Sequence, residues 1–531
     1  MKRIEWAKFI GVGFLAFTLF SCGGGGNRST AVDDVGFQET GFPIVTKPLT
    51  LRAIAAKNDI TNDFYDLEIF QELERKTGVH IEWEYTGADW ATQKPLVLGS
   101  GDLPDIFYNK NTLSESDVIG NMELFVQLDP LIEKYGTNLK SIFAKDADFR
   151  RYNTAYDGHI YGLSQRMPRR PEVYTVSGIN QQWLDKLGLA MPTTTEELYY
   201  VLKAFKEGDP NGDGRPIIPL TYMGFNSLHG MMDLFGSFGL AESIGNWLTV
   251  TNGKVQYMPA QDGFLDAISY FHRLYAEGLM DTEIFTQNRS QVGAKTNPPA
   301  GQPDLVGVGG TWSRDLAFGS ERKQHYTVLS PLKGPQGHQL WRKNKDVVQG
   351  AKYVFSISSS CKYPEVAMRW VDCLYEEIVS MQLYYGPVGE YIEVRPDGTY
   401  YIVPPPAGYT ESQWRWRVQT NDLSVCYVSD ETSAKIIDPQ FDEQLLDKAN
   451  YLMPYTPKEY YPAVAMTPDE NNELAILRTD IHTYSENQAA TWVANGGIER
   501  EYTAYIRQLE NMGLSRMLEI YQTAYDRYMR Q

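Results

Sequence analysis

The chain has 531 residues, 42% of them apolar and 13% aromatic, which is material for more than one packed core and unlike a disordered chain. Lys and Arg number 49 against 67 Asp and Glu, and the net charge of −18 excludes a phosphate-backbone partner and loose adhesion to anionic lipid, both of which need a basic face. Four Cys are too few for a disulfide scaffold.

In chain order, Lys2, Arg3 and Lys8 precede the apolar run FIGVGFLAFTLF at 9–20. Twelve residues rise about 18 Å as a helix, short of a bilayer core of about 30 Å, so residues 1–21 read as a signal peptide. The run ends Leu19-Phe20-Ser21-Cys22, which is similar to a bacterial lipobox and makes Cys22 the expected lipidation site, although Phe20 departs from the small residue usual there. The alternative is an ordinary leader with an incidental Cys. Residues 22–46, opening on Gly23 to Gly26, read as a flexible tether.

Residues 49–109 alternate strand, helix, strand, helix, strand. Leu67, Phe70 and Leu73 make a helical stripe that stops at Gly78, and Val79, Ile81, Trp83 and Tyr85 alternate as in a half-buried strand. Repeated βαβ units imply a mostly parallel sheet, with ligands beyond the carboxyl ends of its strands. Residues 178–207 hold two helices, the second capped by Thr194 or Thr195, and 262–277 another. Strands are expected at 307–312 and 353–357, and a helix at 364–379. Trp247 reads as hairpin core, and Trp414 and Trp416 alternate as on a strand. Two amphipathic helices close the chain, carrying Tyr502 and Tyr505, then Tyr521 and Tyr525; their aromatics read as core. Cys361, Cys373 and Cys426 read as buried thiols.

Several segments then align with one family: LERKTGVHIEWEY, GSGDLPDIFY, YDGHIYGLSQ, QQWLDKLGLAMPTTTEELYYVLKAFKEGDPNGDGRPIIPL, LYAEGLMDTEIFTQN, YYPAVAMTPDENNELAILRTDIHTY and MGLSRMLEIYQTAYDRYM. Together, from about residue 50 to 530, the chain resembles the family 1 extracellular solute-binding proteins, in the lipoprotein branch that serves carbohydrate ABC importers. The resemblance implies an α/β, two-lobed periplasmic-binding-protein-like fold of type II. Its crossings would lie near 163–166, 355–358 and 386–390, with lobe 1 at 47–164 plus 357–387 and lobe 2 at 165–356 plus 388–531. It also implies a monomer held outside the cytoplasm by a lipid anchor, capturing a carbohydrate in the cleft for a permease, with no catalysis, catalytic cofactor or nucleic-acid partner. The rivals are a ligand-sensing or adhesin lipoprotein and a secreted carbohydrate-active enzyme. No zinc helix, nucleophile elbow or phosphate loop favours the last, although two carboxylates would suffice for glycoside hydrolysis.

Asp209, Asn211 and Asp213 stand at alternate positions before Gly214, with the Arg215 carbonyl next, as in the first half of an EF-hand-type calcium loop. The family often closes such a loop with acidic residues, where this chain has Arg215-Pro-Ile-Ile-Pro219. An Asx-stabilised turn fits the same residues, so a structural calcium and a plain turn both stay open.

A sugar offers a C–H face to flat aromatics and a hydroxyl edge to planar polar groups. Trp312, at the end of GVGGTW with Arg314 beside it, is the leading candidate. Asn58, Asp59, Asn62, Asp63 and Tyr65 follow the first strand, Asp89 and Trp90 the second, and Asn109 and Asn111 the third. Gln165 and Arg166 lie at the first crossing, Asn226 and His229 in a loop after 220–223, and Tyr385 and Glu390 around the third crossing. The run from Arg166 to Arg170 fits either an acidic sugar or a solvated edge.

Overall fold

The computed structural model describes residues 34–57, 61–87, 89–169, 172–173, 175–226, 228–243, 245–343, 350–406, 414–420 and 423–530. The leader, Cys22, Asn58, Asp59 and Arg170 lie outside the described residues.

The alternating pattern at 49–109 folds as its periodicity requires. Strand Leu49–Ala55 runs parallel to Val79–Tyr85 on one side and to Ile106–Tyr108 on the other, and Phe355–Ile357 joins Ile106–Tyr108 antiparallel. Helix Glu68–Thr77 buries Ile69, Phe70 and Leu73 and stops at Gly78, whose φ of 74° suits glycine. The second sheet is mixed rather than mostly parallel. Val176–Asn180 runs antiparallel to both Val306–Thr311 and Tyr326–Val328, and Ile218–Leu220 lies parallel to Val306–Thr311.

Each sheet has its own core. The first gathers Trp83, Tyr108, Phe70 and Trp370. The second gathers Trp183, Phe205, Phe235 and Phe271, and continues into Trp492, Tyr505 and Tyr521 of the C-terminal helices. Those helices span Pro468–Asn495, Ile498–Asn511 and Leu514–Arg530. The first starts at a capping box of Thr467 and Glu470 with Pro468 in its first turn. Thr194 and Glu197 make the same box for helix Thr195–Glu207. Trp247 is core, and Cys361, Cys373 and Cys426 are buried free thiols.

Three local expectations are corrected. The stretch expected to be tether up to residue 46 packs on the first lobe from Val35 onward. Val35, Ile44 and Val45 are buried, Ile44 N donates to Thr77 O at 2.8 Å, and the Arg369 guanidinium donates to the carbonyls of Gln38 and Gly41. The helix expected at 364–379 breaks at Glu376, whose extended backbone separates Pro364–Leu374 from Glu377–Tyr385. The strand expected around Trp414 and Trp416 is a helical turn.

Residues 386–390, where the third crossing is expected, lead into further strands. Strands Ile392–Val394, Tyr400–Ile402 and Ile436–Ile437 form a small sheet. Its Ile392, Ile402 and Ile436 pack with Met381 and Tyr385, while Val379 and Leu383 of the same Glu377–Tyr385 helix face the first core. This small sheet is therefore fastened to the first lobe. Helix Pro439–Tyr451 follows, tied to the second sheet's margin by Arg314 to Glu443 and Asp447.

Candidate functional site

The carboxyl ends of the first sheet's strands carry a polar, buried wall. Asn109 and Asn111 follow strand Ile106–Tyr108 at φ 73° and 74°, a conformation Asn tolerates better than most side chains. Asn109 is fully buried. Its amide donates to Ala56 O at 2.8 Å, and its Oδ1 has no hydrogen-bond partner among the described residues. Buried polar atoms are nearly always paired, so this acceptor marks a place where a further donor belongs.

Sequence reasoning missed the strip laid across these strand ends. Asn62 N donates to Arg417 O at 3.0 Å and Lys110 N to Leu423 O at 2.7 Å, while the Tyr108 hydroxyl meets Ser424. Gln419, Thr420 and Ser424 are buried with it, as is Gln165 at the first crossing. The crossing itself is knitted by Leu163 N to Phe355 O at 2.8 Å and Arg166 N to Cys426 O at 2.7 Å.

Arg166, Arg169 and Arg314 are each paired with carboxylates of the fold. Arg166 lies over Tyr427 and reaches Asp430 at 2.8 Å, Asp146 at 3.4 Å and the Val428 carbonyl at 3.0 Å. Arg169 pairs with Asp442. Arg314 spans Asp447 at 2.6 Å, Glu443 at 2.8 Å and the Tyr326 carbonyl at 2.8 Å.

On the second lobe, Trp312 directly follows strand Val306–Thr311, half-buried, with the Lys448 ammonium 3.5 Å from its ring centroid. Lys448 is itself buried, so the ring serves as its cation–π partner. Asn226 shapes the facing loop, its Oδ1 accepting from Leu228 N and His229 N, both at 2.9 Å. His229 Nδ1 meets Thr311 Oγ1 at 2.6 Å. Burial, then the charge of Arg289, pushes the His229 pKa down, so the ring is neutral at pH 7.

Other candidates sit elsewhere. Asp63 caps the next helical turn and accepts from the Tyr85 hydroxyl at 2.9 Å. Tyr65 turns back along the edge strand: its hydroxyl accepts from Trp83 N at 2.9 Å and its ring stacks on His80, toward the strand starts and away from their carboxyl ends. Trp90 donates to Thr112 O at 2.9 Å and packs in a small core under the third strand. Tyr385 is buried beneath Arg415, and Glu390 is exposed on the turn before Ile392. Trp414 stacks on Tyr391 at 4.9 Å.

The 209–215 loop satisfies its own oxygens. Asp209 accepts from the amides of Gly212, Asp213 and Gly214 at 2.9, 3.2 and 3.1 Å. Asn211 accepts from the Trp183 indole at 3.2 Å and donates to Asp304 O, and Asp213 pairs with Arg215. Ile217 and Ile218 stand where closing acids would, and among the described residues no group of three acidic, His or Cys side chains is placed to hold a metal. In this arrangement the loop's side-chain oxygens are held by its own amides, by Trp183 and by Arg215.

The family model described as bacterial extracellular solute-binding protein matches residues 58–379. Over 523 residues, 95% of each chain, the protein is 30% identical to the fructooligosaccharide ABC transporter substrate-binding protein FusA of Streptococcus pneumoniae. Two FusA structures, one with kestose and one of an EF-hand mutant with fructo-nystose, superpose with a TM-score of 0.75 at 29% identity, covering 91% of this chain and 99% of theirs. An HMO-binding, ABC-transporter-associated solute-binding protein of Bifidobacterium longum infantis superposes at 0.80 with 26% identity and the same coverage. The chain belongs to the bacterial extracellular solute-binding proteins and has their two-lobed, periplasmic-binding-protein-like α/β fold.

Proposed function

We propose that this protein captures an oligosaccharide in the cleft between its lobes and delivers it to an ABC-type permease. The observation that carries the reading is the buried, unpaired amide oxygen of Asn109 at one set of strand ends, with the aromatic Trp312 at the other. A saccharide hydroxyl is the donor such an oxygen lacks, and a sugar face is what such an indole covers. FusA and the Bifidobacterium protein make an oligosaccharide the ligand class to test first, and kestose the first probe.

In this reading lobe 1 holds residues 34–164 and 357–437, and lobe 2 holds 165–356 and 438–531. Cys22 carries a lipid that keeps the monomer outside the cytoplasm, and the protein turns nothing over. Among the described residues no helix is long and apolar enough to cross a membrane. The 209–215 loop is a structural support away from the cleft. It keeps three donors of a calcium loop, and FusA's EF-hand makes calcium the cation to test.

The test is a thermal-shift screen with kestose, nystose and other oligosaccharides, followed by calorimetry. A ligand at about 100 times its Kd adds about 2.7 kcal/mol to the folded state. A shift without product formation supports capture. Cleavage of the probe would replace this reading with the enzyme one, and no shift across the panel would refute oligosaccharide capture.

A further inference from the structure

At the carboxyl end of strand Val306–Thr311, just before Trp312 in the chain, the second lobe has a cavity of about 60 Å³. Its apolar lining is Val292, Leu316 and Ala317, and its polar groups are Thr296, Thr311, His229 and Arg289. Arg289 is exposed and makes no ion pair among the described residues, unlike Arg166, Arg169 and Arg314. Thr311 Oγ1 holds His229 through Nδ1, which leaves the imidazole's Nε2 as its other hydrogen-bonding atom. Gly293 borders the same space, and a Cβ built there meets nothing within 4 Å.

Resting on the oligosaccharide reading above, we propose that this cavity is a specificity pocket for the exocyclic hydroxymethyl group of the hexose unit that stacks on Trp312. The methylene lies on Val292 and Leu316, and the primary hydroxyl takes hydrogen bonds from Arg289 and His229. The size suits the group. One water needs roughly 10–15 Å³ on this scale, so about 60 Å³ accepts one carbon and one oxygen but not a second ring. The mixed lining also suits it, because a hydroxymethyl has an apolar stem and a polar tip. A purely apolar void would exclude the hydroxyl, and a purely charged one would leave the methylene unpacked.

Gly293 makes the test clean. Gly293→Leu puts a side chain into open space from a helix, Arg289–Thr296, in which leucine is the better helix former. The variant is expected to melt at or above the wild-type temperature while binding kestose at least about tenfold more weakly, because the pocket is filled. Arg289→Ala, on an exposed side chain, is expected to keep the melting temperature and lose affinity about fivefold or more. Xylotriose, whose units lack the hydroxymethyl, is expected to bind the wild type more weakly than kestose and to be insensitive to Gly293→Leu.

Wild-type kestose affinity retained in Gly293→Leu overturns the pocket while leaving oligosaccharide capture intact. Trigalacturonate bound more tightly than kestose, and lost in Arg289→Ala, overturns the hydroxymethyl in favour of a carboxylate. A wild type that binds no saccharide refutes the capture reading and the pocket with it.

Discussion

Removing the Arg342 guanidinium should destabilise the second lobe severely. Arg342 is 1% exposed and holds Asp233 at 2.7 Å and Glu242 at 2.8 Å, which are 4% and 1% exposed. One cation therefore balances two interior carboxylates. Burial pushes the Glu242 carboxyl up, and Arg342 pulls it back. Arg342→Met keeps the volume and deletes the charge. Breaking a buried pair costs about 3–5 kcal/mol, because the remaining charge stays buried, and two charges remain in this case. At about 2–4 °C per kcal/mol for a unit of this size, the second lobe's transition should fall by about 6–20 °C. The sign with pH is fixed. Without the guanidinium the Glu242 carboxyl titrates further above its unfolded value, so the folded variant takes up a proton before the unfolded chain does as pH falls from 7 toward 5, and its deficit shrinks. Adding Glu242→Gln should recover part of the loss at pH 7. Calorimetric melts of wild type and both variants at pH 5 and 7 decide it. A deficit under about 1 kcal/mol, or one that is the same at both pH values, refutes the argument.

Trp312→Ala should weaken kestose binding by about 2 kcal/mol, near thirtyfold, as expected for a desolvated aromatic anchor, and an unchanged calorimetric affinity would remove Trp312 from the site. The 209–215 loop should melt no differently in calcium and in chelator, whereas Asp209→Ala should lower stability by about 1 kcal/mol as three amides lose their acceptor; a melting temperature that rises with calcium would show that the loop rearranges around the ion. Burial beside Trp247 pushes the His482 pKa down to about 4, so the folded state binds fewer protons than the unfolded state, and stability should fall as pH drops from about 6.5 toward 4. His482→Leu should flatten that limb of the stability curve, and an unchanged pH profile would mean that the ring titrates normally.

What could be read from the sequence was what local chemistry decides. Thr194 and Thr467 announce helix starts through their partners three residues on, Gly78 announces a stop, and the alternation from Val79 to Tyr85 gives a strand. The strand ending just before Trp312 was legible from the run GVGGTW. Residues 414–424 were not legible, because the strip is held by pairings such as Asn62 to Arg417, hundreds of residues apart, and its own pattern has no period. Trp414 and Trp416 looked like one face of a strand; in a helical turn residues two apart point nearly opposite ways, so the stacking of Trp414 on Tyr391 does not extend to Trp416. The stretch 34–46 looked like tether because Val35, Ile44 and Val45 are scattered among Gly, Pro and polar residues, yet each finds a buried place on the first lobe. The place of Tyr65 was not legible either, because the turn capped by Asp63 lays its ring on His80.

The charges around the crossings bear on what kind of ligand the cleft selects. Arg166 faces Asp146 and Asp430, Arg169 faces Asp442, Arg314 faces Glu443 and Asp447, and Arg415 faces Asp438. Each of these arginines already faces a carboxylate, so an acidic sugar gripped by them would compete with a carboxylate held in place by the fold. A neutral sugar meets no such competitor. Its hydroxyls need unpaired acceptors and donors rather than net charge, and the Asn109 oxygen is an acceptor of that kind. The matched arginines then serve the lobes instead. They fasten helix Pro439–Tyr451 and the 425–430 segment to both sides of the crossing, so the protein's strong negative charge is kept from setting the chemistry of the cleft. The exception is Arg289, with no carboxylate partner among the described residues at the small pocket that ends strand Val306–Thr311, where a single hydroxyl rather than a charge is enough to occupy it.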